Sequence, residues 1–169
     1  MNNPKPTNIR WRVLFITLVL GYIAYVYRSN LSVIGKFLMD DTGISQIELG
    51  WLLSSFIWGY TLFQFPGGLI SEKIGPKTTL VLVTLGSSLI TIITGLIVMG
   101  GFSIALMIPL LFIFRFLLGV FQGPLFPATG GGVIARWFPS GSWALPNGLN
   151  STALALGSAS TPPMIVLLT

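Results

Sequence analysis

The side chains able to do chemistry are few, and most of them fall in one short stretch. Between positions 22 and 32 the chain carries Tyr22, Tyr25, Tyr27, Arg28, Ser29, Asn30 and Ser32, near the end of an apolar run that begins at Val13. A guanidinium keeps its charge at any working pH. Inside a segment long enough to cross a bilayer it costs roughly 2.5–3.5 kcal/mol on insertion scales. Such a group normally faces the protein interior or a wet cavity and pairs with something negative. The expected partner of Arg28 is therefore a bound anion. The competing expectation is that its long side chain snorkels to the outer surface.

A second cation, Arg115, lies near the middle of a later apolar run, where snorkelling is a weaker account. It is expected either to face the same anion or to satisfy backbone carbonyls beside Pro109. Gln122 follows seven residues later, so the two share one helix face with Gly119 between them. An arginine can bind a carboxylate or phosphate through two parallel hydrogen bonds. A positive cavity raises the local concentration of anions.

Other chemistry is excluded by what is missing. The chain has no cysteine and no histidine, which rules out disulfides and thiolate sites and removes the commonest base and metal ligand. The four carboxylates are Asp40, Asp41, Glu48 and Glu72, and none lies inside an apolar run. No enzyme, metal site or cofactor is expected, because nothing within the membrane is placed for general acid–base work.

These residues must be positioned by membrane helices. The 169 residues are 53% hydrophobic and 8% charged, against about 25% charged in ordinary soluble domains, and the mean hydropathy is +0.85. A net charge of +5 with no basic stripe gives no footing for nucleic acid. The lipid bilayer is the expected surrounding. A hydrocarbon core of about 30 Å needs roughly 20 helical residues. The apolar runs place helices at about 13–34, 48–70, 78–99, 103–135 and 146–169, after a polar tail at 1–12. Val13 to Val33 is too long for a cleavable signal, so the first helix reads as retained. Connections are expected at Gly35 to Ile47, Ser71 to Lys77, Gly100–Gly101 and Arg136 to Gly141. Pro109, Pro124 and Pro127 are expected to bend the fourth helix, and Pro162 and Pro163 to bend or end the fifth.

Cations in short loops set orientation. Lys5, Arg10, Arg12, Lys73, Lys77 and Arg136 gather on one side, and Lys36 stands alone on the other. The expected topology is multi-pass in the cell membrane, with the N-terminus cytoplasmic. Arg28 then lies in the outer half of the first helix, roughly 9 Å from its end at 1.5 Å per residue. Small residues four apart (Ser55 and Gly59, Gly119 and Gly123, Ala153 and Gly157) suit close helix packing. Trp11, Trp51 and Trp137 sit at expected helix ends, as interface aromatics do.

Three motifs carry a resemblance. The link Gly67-Gly68-Leu69-Ile70-Ser71-Glu72-Lys73-Ile74-Gly75-Pro76-Lys77 resembles the signature loop between the second and third helices of the major facilitator superfamily. It departs from that pattern at Pro76, where a base is usual. Tyr25 to Ser32 and Arg115 to Ala128, followed by Arg136-Trp137-Phe138-Pro139, look like the anion:cation symporter branch, which includes hexuronate, galactonate and vesicular glutamate transporters. Asn147-Gly148 through Pro162-Pro163 looks like that branch's fifth helix, although Ser140 to Pro146 lacks its usual acid-and-arginine cluster.

The resemblance implies an all-α membrane protein: about five transmembrane helices of an N-terminal major facilitator bundle, truncated within the fifth. It implies secondary transport of a small organic anion by alternating access, with a missing C-terminal half as partner. Arg28 would hold the substrate carboxylate, with Tyr25, Tyr60, Arg115 and Gln122 as further substrate contacts. Gly68, Glu72, Lys73, Gly75 and Lys77 would form a conformational-switch loop, with Glu72 capping the next helix and pairing with a base. In proton-coupled relatives the positions of Tyr27 and Gln122 usually carry Asp and Glu. Neither Tyr nor Gln titrates near neutral pH, which argues against proton symport by that route. Two other functions compete: an organophosphate:phosphate exchanger, which also uses a first-helix arginine, and a non-transporting remnant or helix-packing subunit.

Overall fold

A computed structural model describes residues 8–167, and these are helical almost throughout. Helix α1 spans Ile9–Thr42, α2 Gln46–Ile74, α3 Pro76–Met99 and α4 Ile104–Gln122. A short α5 (Leu125–Pro127), a π-helical stretch (Ala128–Ile134) and α6 (Ala135–Trp137) continue from α4, and α7 covers Ala144–Val166. Among the described residues, three stretches are long and apolar enough to cross a membrane: 9–35, 76–99 and 104–137, with mean hydropathies of 1.6, 2.3 and 2.5.

The helices run further than the apolar runs suggest. The expected loop after the first helix shrinks to Gly43–Ser45, because Phe37, Leu38 and Met39 carry the helix onward through Asp40 and Asp41. The helix ends at Gly43, whose φ of 71° only glycine adopts freely, and whose N–H bonds Met39 O at 2.9 Å. Arg28 is consequently 14 residues, or roughly 21 Å, from the helix end. The apolar span itself still ends at Gly35, close to the expected Ile34, so the added turns lengthen the helix without changing the depth of Arg28. The tail expected at 1–12 also shortens, since Ile9 already opens α1; residues 1–7, with Lys5, lie outside the described residues.

Ser45 and Glu48 form a capping box that starts α2, each side chain bonding the other's backbone N–H. The link between α2 and α3 is Gly75 alone, with Pro76 as the first residue of α3. Glu72 does not cap α3, contrary to expectation: it lies in the last turn of α2, and α3 has no side-chain cap. Proline at the first helical position has no N–H to satisfy, which removes one of the groups a cap would serve. At the other end of α3, Gly100 and Gly101 form the expected tight turn, with Gly101 at φ 64°.

Proline sets the course of the fourth rod. α4 passes through Pro109 and stops at Gly123–Pro124. Thr129 Oγ1 then donates to Leu125 O and Phe126 O, at 3.0 and 3.1 Å, around the start of the π-helical stretch. Gly130, Gly131 and Gly132 follow within that wider turn. α7, by contrast, continues through Pro162 and Pro163 to Val166.

Two parallel helix pairs organise the bundle. α2 lies along α4 and α1 along α7, and α3 closes against α4. Glycines set the first pair. A Cβ at Gly59 would fall on Phe116 O, and one at Gly119 on Phe56 O, so the two backbones touch. Gly157 plays the same part beneath Tyr22 O in the second pair. The larger core cluster joins Leu31, Leu38, Leu52, Ile97 and Leu111; a second joins Ala24, Leu80, Val83, Leu125 and Ala128. Phe15, Ile57, Leu62, Phe65, Leu85, Leu89 and Ile92 are exposed on the outside, as lipid-facing side chains are.

Candidate functional site

The site is assembled where α1, α2, α4 and α7 converge. Tyr25 and Arg28 are three apart on α1 and share a face. Arg28 does not splay outward. Its guanidinium carbon lies 5.3 Å from the Tyr25 ring centre, 4.9 Å from Phe56 and 5.6 Å from Tyr60. Arg28 Nη1 also donates to Tyr25 Oη at 3.5 Å. Phe56 and Tyr60, one turn apart on α2, stack at 6.0 Å and 18°. Three aromatic faces thus cradle a cation within the bundle, an arrangement that stabilises charge.

Tyr25, Arg28, Tyr60 and Gln122 line one deep cavity of about 20 Å³, together with Thr129 and Asn150. It adjoins a broader depression of about 470 Å³ that shares Tyr25, Tyr60, Phe126 and Leu154 and adds Gln64 and Ser151. The larger volume lies in the range of small-molecule sites, roughly 300–1,000 Å³. No carboxylate lines either one, and no three of His, Cys, Asp and Glu cluster as metal ligands among the described residues.

Gln122 and Arg115 both tie α4 to α1. Gln122 is 2% exposed, and its Nε2 donates to Ala24 O at 3.1 Å. Arg115 is equally buried and lies on the far side of Arg28, outside the deep cavity. Its Nη1 donates to Arg28 O at 3.3 Å and its Nη2 to Asn30 Oδ1 at 2.8 Å. The carbonyl it satisfies therefore belongs to α1, not to the backbone beside Pro109. Arg115, Arg28, Ser29 and Ser32 line a second hollow of about 190 Å³. Tyr27 turns from the site and meets Ser88 on α3 at 3.1 Å.

At the other end, Gly68, Ser71, Glu72, Gly131, Gly132 and Arg136 surround a hollow of about 180 Å³. Glu72 and Arg136 face it from α2 and α6, while Lys73 and Lys77 are exposed and do not line it. The expected pairing of Glu72 with a base is absent among the described residues. The hollow itself stands between Glu72 and Arg136.

Two contributors escape a reading of the sequence. Phe56 looks like any core aromatic, although its spacing of four from Tyr60 was a usable signal. Asn150 sits on α7 beside Ser151 and Thr152, 3% exposed, and its Oδ1 finds no hydrogen-bond partner among the described residues. Leaving a buried acceptor unpaired costs about 1–3 kcal/mol. Polarity alone did not single it out, since Asn147, Ser151 and Thr152 lie beside it in the chain.

Comparison with known proteins adds a further set of observations. The family description "Major Facilitator Superfamily" matches residues 13–169. A probable galactarate/D-glucarate transporter of Bacillus subtilis is 38% identical over 136 residues, 80% of this chain and 29% of the relative. The D-galactonate transporter of Escherichia coli is 31% identical over 166 residues, 98% of this chain and 36% of the relative. The hexuronate transporter of Bacillus subtilis is 34% identical over 153 residues, 90% of this chain and 34% of the relative. The chain spans about a third of the length of these relatives.

Proposed function

This chain belongs to the Major Facilitator Superfamily, a family of multi-pass membrane transporters rather than enzymes, and from that premise we propose that it supplies one helical bundle of a secondary carrier for a small organic anion. The anion is of the sugar-acid class, in keeping with what the similar galactarate/glucarate, galactonate and hexuronate transporters are named for. The observation that carries this reading is the seat of Arg28. A permanent cation is held over three aromatic rings on the wall of a small cavity that adjoins an open depression, and no carboxylate lines either one. A cargo carboxylate supplies the missing negative charge, through two parallel hydrogen bonds.

In this reading Tyr25, Tyr60 and Gln122 shape the wall around Arg28. Arg115 holds the α1 backbone behind it, through Arg28 O and Asn30. The depression is open on one side, and a facing helical bundle completes it. Rocking of the two bundles exposes the same site to either face of the membrane. Glu72, Lys73, Lys77 and Arg136, with Gly68 and Gly75, lie at the cytoplasmic end and form the movable contact there. Neither Tyr27 nor Gln122 is a carboxylic acid, so in this reading proton symport does not run through these two positions, and anion exchange is the simplest alternative.

Replacing Arg28 with Ala in the complete carrier tests the proposal. Uptake of labelled glucarate or galactonate is expected to vanish while the amount inserted in the membrane is unchanged. Unaltered uptake would return Arg28 to a topological role.

A further inference from the structure

Asn150 is a buried side chain whose hydrogen bonding is unfinished, on the wall of the cavity that holds Arg28. It is 3% exposed, and its Oδ1 has no partner among the described residues. Buried amides are normally paired, so the position is one that something else completes. Opposite it stands Gly21. A Cβ at that position would come within 3.7 Å of the Asn150 oxygen and 2.8 Å of Leu154 Cδ2. The tight approach there is to Leu154, and the space before the amide is not filled by Gly21. The cavity of about 20 Å³ accepts one water-sized group. It is too small for a carbon chain, and it adjoins the depression of about 470 Å³ in which a chain can lie.

The amide is also held in a fixed relation to Arg28. α7, which carries it, is tied to α1 by Tyr22 Oη with Ser160 Oγ at 2.7 Å and by Ser29 Oγ donating to Ser158 Oγ at 3.2 Å. Gly157 lets the two backbones meet at Tyr22. A cargo carboxylate seated on Arg28 is thereby placed at a set distance from the amide.

We propose that Asn150 reads one hydroxyl of the cargo while Arg28 holds its carboxylate, which makes Asn150 a specificity-determining residue for polyhydroxy acids over plain carboxylates. The proposal rests on the sugar-acid reading above. A hydroxyl both donates and accepts, and an amide offers both functions, so the pair matches whichever end of the amide faces the cavity. A site built around such a bond rejects an analogue lacking the hydroxyl, because its own buried group is then left unpaired.

Competition against labelled glucarate uptake, with the complete carrier in cells, tests this. The competitors are glucarate and its monodeoxy analogues, applied to the wild type, Asn150→Leu and Asn150→Ala, with membrane insertion measured in parallel. In the wild type one monodeoxy acid is expected to compete about tenfold more weakly than glucarate, the worth of one hydrogen bond. In both variants glucarate itself weakens and that difference disappears, the pattern of a coupled pair. If Asn150→Leu fails to insert, Asn150→Ala carries the comparison. A difference that persists in the variants, or a uniform loss across all acids, overturns the assignment and makes Asn150 a structural residue completed by bound water. A wild type that takes up glucarate but shows no monodeoxy difference overturns the hydroxyl assignment alone. A wild type that takes up no sugar acid sinks both readings.

Discussion

Arg28→Lys separates the seat of the guanidinium from its charge. Lysine keeps one positive charge on the same helix face, so a role in topology or simple attraction survives the exchange. What is lost is planarity. The guanidinium lies 4.9–5.6 Å from the centres of Phe56, Tyr25 and Tyr60, and such contacts contribute about 0.5–1 kcal/mol each at partly exposed sites. They share one cation, so the set is worth less than three separate contacts, and an ammonium recovers part of it. The second of two parallel bonds to a carboxylate adds about 1.5–3 kcal/mol. Together the loss is on the order of 3 kcal/mol, or roughly a hundredfold in apparent affinity at 1.4 kcal/mol per decade. Uptake of labelled glucarate over a range of concentrations, normalised to the protein in the membrane, measures it. A lysine variant with the wild-type half-saturation concentration would refute the claim that the three rings preorganise a two-pronged anion clamp.

Two other substitutions follow from the same geometry. Gln122→Glu replaces an amide that donates to Ala24 O with a group able to carry a proton beside Arg28. Uptake is expected to become pH-dependent, and a flat profile between pH 5 and 8 would show that Gln122 lies off the transport route. Gly119→Val places a side chain on the Phe56 carbonyl; the overpacking is expected to cost about 1–3 kcal/mol, read as a lower unfolding temperature in detergent, and an unchanged temperature would show that the α2–α4 contact is not close.

Arg28 was legible from its sequence position because a charge within a long apolar run has few physical explanations. That the fourth helix packs closely was legible from Gly119 and Gly123, which recur at the spacing at which helices in lipid approach, but its partner, α2, was not. The limits of α1 were not, since Lys36, Asp40 and Asp41 read as loop, whereas a helix extending beyond the bilayer carries charge at no cost. The polar link expected at 71–77 reduced to Gly75 for the converse reason, as Pro76 starts a helix as readily as it ends one. The π-helical stretch gave no periodic signal, since three glycines carry no side chains to show a face. Arg115 was recognised as buried, but its partners Asn30 and Arg28 O lie 85 and 87 residues away in the chain, a pairing that only the fold reveals.

The two arginines divide the work of handling charge. Arg115 is enclosed, and neutral oxygens on α1 meet two of its nitrogens. Those bonds solvate its charge but do not cancel it. Arg28 stands over aromatic faces, which solvate a cation in the same partial way. The backbone carbonyl of Arg28 is itself one acceptor for Arg115, so any shift of α1 that moves the Arg28 guanidinium also changes the setting of the buried one. With Tyr27 bonded to Ser88 and Gln122 to Ala24 O, no acid among the described residues stands between them to neutralise either charge. In the proposed carrier, a conformation in which the site is closed off from water is therefore favoured when an anion occupies it. Coupling through occupancy of this kind suits exchange, where an empty carrier is slow to reorient, better than it suits proton symport.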